Sequence, residues 1–158
     1  SVILESGLPA IRFDGVDDYM TFPSFQAMNG FSIVSDTAAI SQNKRIVGGT
    51  TSTGFFVNSA TNYFGAQRAG IENLSSAIGE GGTGLSLRTF TFTQLFLNGV
   101  EPAYATQTPL TDFVVTHIGA PPSLGNLWNG PMQEILLTAD EQNRVLLEQN
   151  INDHYNIY

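Results

Sequence analysis

The sequence predicts an all-β protein, an antiparallel sandwich closed by a short C-terminal helix. Three observations carry that expectation. Short runs alternate apolar and polar residues with period two, and the cleanest, Leu85-Ser86-Leu87-Arg88-Thr89-Phe90-Thr91-Phe92-Thr93, is β-branched or aromatic almost throughout. Three Asn-Gly pairs, at Asn29-Gly30, Asn98-Gly99 and Asn129-Gly130, suit the type I′ turn that matches strand twist. Charged residues make up only 13% against 42% hydrophobic, with Thr, Ser, Asn, Gln and Gly in their place, a balance that fits a folded, strand-rich domain and not a disordered chain. At 158 residues the chain suits one domain, residues 1–158, large enough to bury a core without disulfides or metals.

The elements follow in order. Ile11-Arg12-Phe13-Asp14-Gly15-Val16-Asp17-Asp18-Tyr19-Met20 reads as strand, glycine turn, strand. Phe31 and Ile33 continue the alternation after Asn29-Gly30, and Arg45-Ile46-Val47-Gly48-Gly49 reads as a short strand ending in glycines. Gly54–Asn58 and Asn62–Ala66 flank Ser59-Ala60-Thr61, which reads as a hairpin loop. Gly79-Glu80-Gly81-Gly82-Thr83-Gly84 is a glycine-rich loop; it lacks the Lys-Ser/Thr of a phosphate cradle and the strand–helix setting of a dinucleotide site. Gln94-Leu95-Phe96-Leu97 stops at Asn98-Gly99, and Leu127–Leu137 again reads as strand, Asn-Gly turn, strand. Thr138-Ala139-Asp140-Glu141 has the form of a capping box, predicting a helix from about Ala139 to Asp153. Leu147 and Ile151, flanked by Val145 and Tyr155, form its apolar stripe, expected on the sheet edge.

Charge and composition remove several functions. The net charge is −8, with Lys44 the single lysine beside five scattered arginines, so there is no basic stripe to neutralise phosphates. Neither nucleic-acid binding nor anionic-membrane binding is expected. The absence of cysteine excludes thiol catalysis, Cys-ligated zinc and disulfides. No apolar run approaches membrane-spanning length and no signal peptide is visible; a start at Ser1 in place of Met suggests processing or a longer parent chain.

The motifs resemble the concanavalin A-like lectin/glucanase superfamily, in its laminin-G-like branch. Arg12-Phe13-Asp14-Gly15-Val16-Asp17-Asp18-Tyr19-Met20 is similar to that branch's N-terminal strand. Leu95-Phe96-Leu97-Asn98-Gly99 is similar to a later strand, and Ile118-Gly119 followed by Trp128-Asn129-Gly130-Pro131-Met132-Gln133-Glu134-Ile135 to the last one. A closing helix and Tyr-containing tail, Thr138 to Tyr158, complete the order. The resemblance implies a jelly-roll β-sandwich whose first and last strands meet. The segment between Phe22 and Ala69 is short for the branch, and the hairpin before Leu95 is nearly gone, which implies trimmed loops. Modules of this kind are similar to those in tail, fibre and surface proteins of bacteriophages and marine microbes.

Candidate chemistry is sparse. Glycoside hydrolysis needs two carboxylates facing across a sugar. Asp14 and Asp18 have a glycine turn between them, Glu134 has no partner at 132 or 136, and the Glu-x-Asp-x-(x)-Glu strand of the family's hydrolases is missing, so no enzyme is expected. Asp14, Asp17 and Asp18 form the densest acidic cluster. They are calcium candidates, completed by carbonyls or by Asn126, or else acceptors of backbone N–H groups in a turn, the reading preferred here. Trp128 is expected in the core and not on a sugar. Asn62, Tyr63 and Arg68 offer a ring with planar donors and acceptors, chemistry suited to a sugar, although an ordinary polar strand face has the same composition. His117 and His154 lack neighbours at metal-ligand spacing, and Phe55, Phe56, Phe90 and Phe92 are expected as packing residues.

The resemblance therefore implies a non-catalytic recognition module of a virion or cell surface, extracellular or on the virion. Its partners would be a glycan or host cell surface and other virion or surface proteins. Ligand residues are Asn62, Tyr63, Arg68 and Asn126; no cofactor is expected, and calcium is the one candidate. Weak single-site binding would be raised by multivalency in a homo-oligomer. The alternative is a structural module for virion assembly or capsid decoration, with no small ligand.

Overall fold

The computed structural model describes all residues except 6, 35–43, 50–52, 59, 69–71, 83 and 140–142. The first strands are β1 (Val2–Glu5), β2 (Leu8–Asp14), β3 (Met20–Gln26) and β4 (Asn29–Val34). They are followed by β5 (Lys44–Gly48), β6 (Gly54–Asn58), β7 (Tyr63–Arg68) and β8 (Glu72–Ser76). The chain continues with β9 (Ser86–Phe90), β10 (Leu95–Leu97), β11 (Tyr104–Gln107), β12 (Val114–Ile118) and β13 (Asn129–Thr138), and ends in helix α1 (Arg144–Tyr155).

The strands form two antiparallel sheets packed face to face, the all-β sandwich expected from the alternation. One sheet has six strands in the order β1-β2-β13-β4-β9-β10, the other seven in the order β11-β8-β7-β6-β5-β12-β3. The two ends of the chain meet: β13 pairs with β2, with Asn129 opposite Asp14 and Gly130 opposite Phe13. The turn after Asp14 does not close a hairpin. It carries the chain from the six-stranded sheet into β3 at the rim of the other.

The core fills the space between the sheets. Phe13, Phe55, Phe64, Phe90, Phe113 and Trp128 are all buried there, with Phe90 4.4 Å from Phe113 and 5.0 Å from Phe55 between ring centres. Burying a side chain of this class contributes about 1.5–3 kcal/mol. Trp128 is fully buried, and its indole N–H donates to the Gly130 carbonyl at 3.1 Å, so the only tryptophan is a core residue, as expected.

A second apolar layer joins the helix to the outside of the six-stranded sheet. Phe31, Leu87 and Ile151 are its buried centre, with Leu136, Leu147 and Tyr155 packed around them. This corrects the expected sheet-edge docking: β4, β9 and β13 lie inside the sheet, and the helix covers their outer face. Both faces of β9 are therefore buried, which no alternation in one strand reveals. The helix also begins later than expected. Asn143 is its N-cap, with Oδ1 accepting the Leu146 N–H at 3.3 Å, while Thr138 ends β13. Asp140 and Glu141 of the expected capping box lie outside the described residues. With this register Val145 is 54% exposed and leaves the stripe.

Of the three Asn-Gly pairs, one makes the expected turn. Asn98 and Gly99 both have positive φ, 51° and 77°, and Leu97 and Val100 exchange N–H···O bonds of 2.8 and 3.0 Å around them. The other two pairs start strands β4 and β13. At Gly30 the reason is space, because a Cβ there would sit 2.9 Å from Phe90 Cδ1 and Cζ. At Gly130 it is a backbone φ of 140°, which suits glycine.

The glycine-rich loop is tied into the sandwich. The N–H groups of Gly79 and Gly81 donate to the Asn62 carbonyl at 2.9 and 2.8 Å. The Gly81 carbonyl accepts from Arg88 Nε and Nη2 at 3.0 and 2.7 Å. Those amides are used internally and do not form a phosphate cradle; Thr83 lies outside the described residues.

Candidate functional site

The outer face of the seven-stranded sheet carries a continuous set of polar and aromatic side chains. Its composition follows from register, since residues opposite one another share a face. Arg45 stands opposite Phe56, Phe56 opposite Gly65, and Gly65 opposite Ser75. Asn58 opposite Tyr63, and Gly54 opposite Gln67 opposite Asn73, extend the same face to either side. Thr106 on β11 and His117 on β12 bound it.

At the centre lies a stack. The Arg45 guanidinium sits 5.1 Å over the Phe56 ring, and Tyr63 meets that ring edge-on at 6.0 Å. Two glycines allow the large side chains to lie flat. A Cβ at Gly54 would reach 2.8 Å from Arg45 Cδ, and one at Gly65 would press Phe56 Cζ at 2.9 Å. Phe56 is only 2% exposed although it points away from the core. Phe55 packs inside and Phe56 outside, because consecutive strand residues face opposite ways; the shared packing role expected for the pair divides between two surfaces.

Arg45 is the unusual member. It is 7% exposed, Nε has no hydrogen-bond partner, and its one hydrogen bond among the described residues runs from Nη1 to the Gly54 carbonyl at 3.5 Å. Burial pushes its pKa down to about 10, partly opposed by the charge of Tyr63, so the group is still cationic at neutral pH. The sequence signalled only a strand at Arg45–Gly49; that its first residue would lie across an aromatic ring depends on the pairing of β5 with β6.

The expected site residues disperse around this stack. Tyr63 belongs to it. Asn62, at φ 49°, occupies the turn before Tyr63 and donates from Nδ2 to the Gly79 carbonyl at 3.0 Å. Asn126, at φ 56° and exposed, borders Arg45, whose backbone N–H donates to the Asn126 carbonyl at 3.2 Å. Arg68 is at the far end of β7, about 17 Å along the strand from Tyr63 at ~3.3 Å per residue. There it meets Asp112 at 3.5 Å and Thr111 Oγ1 at 3.3 Å. Three of the four residues thus border one surface, and Arg68 does not.

The acidic cluster sits elsewhere, in the crossover after β2. One carboxylate oxygen from each of Asp14, Asp17 and Asp18 falls within 4.8 Å of the others, a donor set that suits a hard cation. The oxygens also serve the turn. Asp14 Oδ1 accepts from the N–H of Val16 at 2.8 Å and of Asp17 at 3.3 Å, and Asp18 Oδ2 accepts from the Asp14 N–H at 3.1 Å. The Val16 hydrogen bond, with smaller contributions from other backbone N–H groups, lowers the Asp14 pKa. Neither histidine joins a cluster of metal-ligating side chains among the described residues. His117 lies 5.9 Å from the Tyr19 ring and His154 4.7 Å from Tyr155.

An apolar cleft of about 290 Å³ opens at the opposite rim, where Val2, Ile11, Met20, Ile118 and Ile135 line the gap between β2, β13 and β3. No helix among the described residues is long and apolar enough to cross a membrane. A scan against models of protein families finds no match to this chain, and a search of curated proteins finds none either.

Proposed function

We propose that this protein is a non-catalytic recognition module that binds a glycan across the outer face of its seven-stranded sheet, as part of a virion or cell surface. The observation that supports the reading is the make-up of that face: the partly exposed ring of Tyr63, braced edge-on by the buried Phe56 and set among the amides of Asn58, Gln67 and Asn73. Rings stack on the apolar faces of pyranoses, while amides match hydroxyl groups as donors and acceptors. The resemblance to lectin-like sandwiches agrees with this use of the sheet. A glycan array probed with the 158-residue chain tests it. Binding should persist in EDTA and fall with Tyr63→Ala; no binding to any glycan would overturn it.

The second reading, a structural module that contacts other virion or surface proteins, draws on the opposite rim. Val2, Leu4 and Ile11 are 78%, 72% and 40% exposed on the β1–β2 hairpin, an apolar grouping of the kind that marks protein contacts. Sedimentation of the isolated chain separates the readings, since tight self-association without glycan binding favours the second.

A further inference from the structure

We infer that the ligand of the outer face carries a carboxylate, an acidic sugar, and that Arg45 receives it. The inference rests on the proposed glycan reading and narrows its ligand class. A guanidinium has five N–H donors, and Arg45 spends one of them, from Nη1, on a carbonyl at the distance limit of a hydrogen bond. Nε is buried without a partner. A cation taken out of water is costly unless paired, and here the ring of Phe56 offers only part of the compensation.

Among the described residues, no carboxylate stands in register with Arg45 on the sheet. Although the chain carries 14 acidic residues against six basic ones, the described positions in register around Arg45 on this face are His117, Gly48, Phe56, Gly54, Gly65 and Ser75, none of them acidic. A face whose described register positions around Arg45 carry no carboxylate, and which holds a cation with donors to spare, is complementary to an anion supplied from outside. A carboxylate fits the planar fork of arginine through two parallel hydrogen bonds. The Tyr63 ring and the neighbouring amides then meet the rest of the sugar.

The test compares oligosaccharides ending in glucuronate, galacturonate or sialic acid with their methyl esters, by titration calorimetry on the 158-residue chain. Esterification removes the charge and leaves the sugar. A hydrogen bond to a charged group contributes about 1.5–3 kcal/mol, so the preferred acid should bind on the order of 10- to 100-fold more tightly than its ester. Arg45→Gln should erase that preference, Arg45→Lys should restore part of it, and Lys44→Gln should leave it unchanged; thermal melts confirm that each variant is folded. Equal binding of acid and ester by the unaltered protein overturns the inference and leaves the glycan reading standing, whatever the variants do. A preference that survives Arg45→Gln in a folded variant also overturns it. Binding of no sugar in either form overturns both.

Discussion

Replacing Gly30 by alanine tests the central packing claim, that Asn29-Gly30 lies inside a sheet and not in a turn. The added Cβ would stand 2.9 Å from Phe90 Cδ1 and Cζ, and closer still to Cε1, where ordinary contact begins near 3.4 Å. The Phe90 ring cannot swing away easily, because it is fully buried between Phe55 at 5.0 Å and Phe113 at 4.4 Å. Overpacking a filled core costs about 1–3 kcal/mol, and confinement on two sides places Gly30→Ala at the upper end, about 3 kcal/mol. At about 2–4 °C per kcal/mol for a chain of this size, Tm should fall by about 6–12 °C. The decisive measurement is a double-mutant cycle by denaturant unfolding. In a Phe90→Leu background the smaller, reshaped side chain should accept the methyl group, so the two substitutions couple by at least about 1 kcal/mol. Were Gly30 a turn residue, the cost would reflect backbone strain alone and be indifferent to Phe90. Costs that add within about 0.5 kcal/mol would therefore refute the argument.

Three further outcomes are expected. Asn143→Ala should lower stability by about 1 kcal/mol through loss of the cap to Leu146, while Thr138→Ala should not act as a cap deletion; the reverse order of unfolding midpoints would restore the earlier helix start. Burial pushes the phenols of Tyr104 and Tyr155 up to about 12 from the ordinary 10. Their protonated forms therefore favour the folded state, a contribution complete below pH 10 and drained between pH 10 and 12. Tyr104→Phe should flatten that part of the stability profile, and an unchanged slope would contradict it. Because the Asp14 and Asp18 carboxylates already accept backbone N–H groups, 5 mM calcium should leave Tm unmoved. A site with a Kd near 1 mM would add about 1 kcal/mol, so a rise of about 2–4 °C would reveal a bound ion.

Legibility in the sequence followed the range of the interaction concerned. Local rules were enough for the pairing of β6 with β7, the Asn98-Gly99 turn and the burial of Trp128, because turn chemistry and apolar character act on neighbouring residues. The candidate site was half legible. Tyr63 stood out as a ring in a polar setting, yet Arg45 and Phe56 looked like ordinary strand residues until β5 and β6 were paired. Arg68 was grouped with Tyr63 by proximity in the chain, whereas an extended strand carries residues five apart to opposite ends of a sheet.

By itself, then, the sequence determined the all-β class and the presence of a closing helix, while the meeting of the first motif with the last was an expectation from the resemblance that the pairing of β2 with β13 bears out. Period-two alternation, turn residues and a helical stripe are properties of short windows. Only the tertiary structure decided that β9 is covered on both sides, that Gly30 yields its space to Phe90, and that the guanidinium of Arg45 lies buried with Nε lacking a hydrogen-bond partner. Each of these depends on which strands become neighbours, and neighbours in a sheet are chosen by long-range pairing that no window of sequence contains.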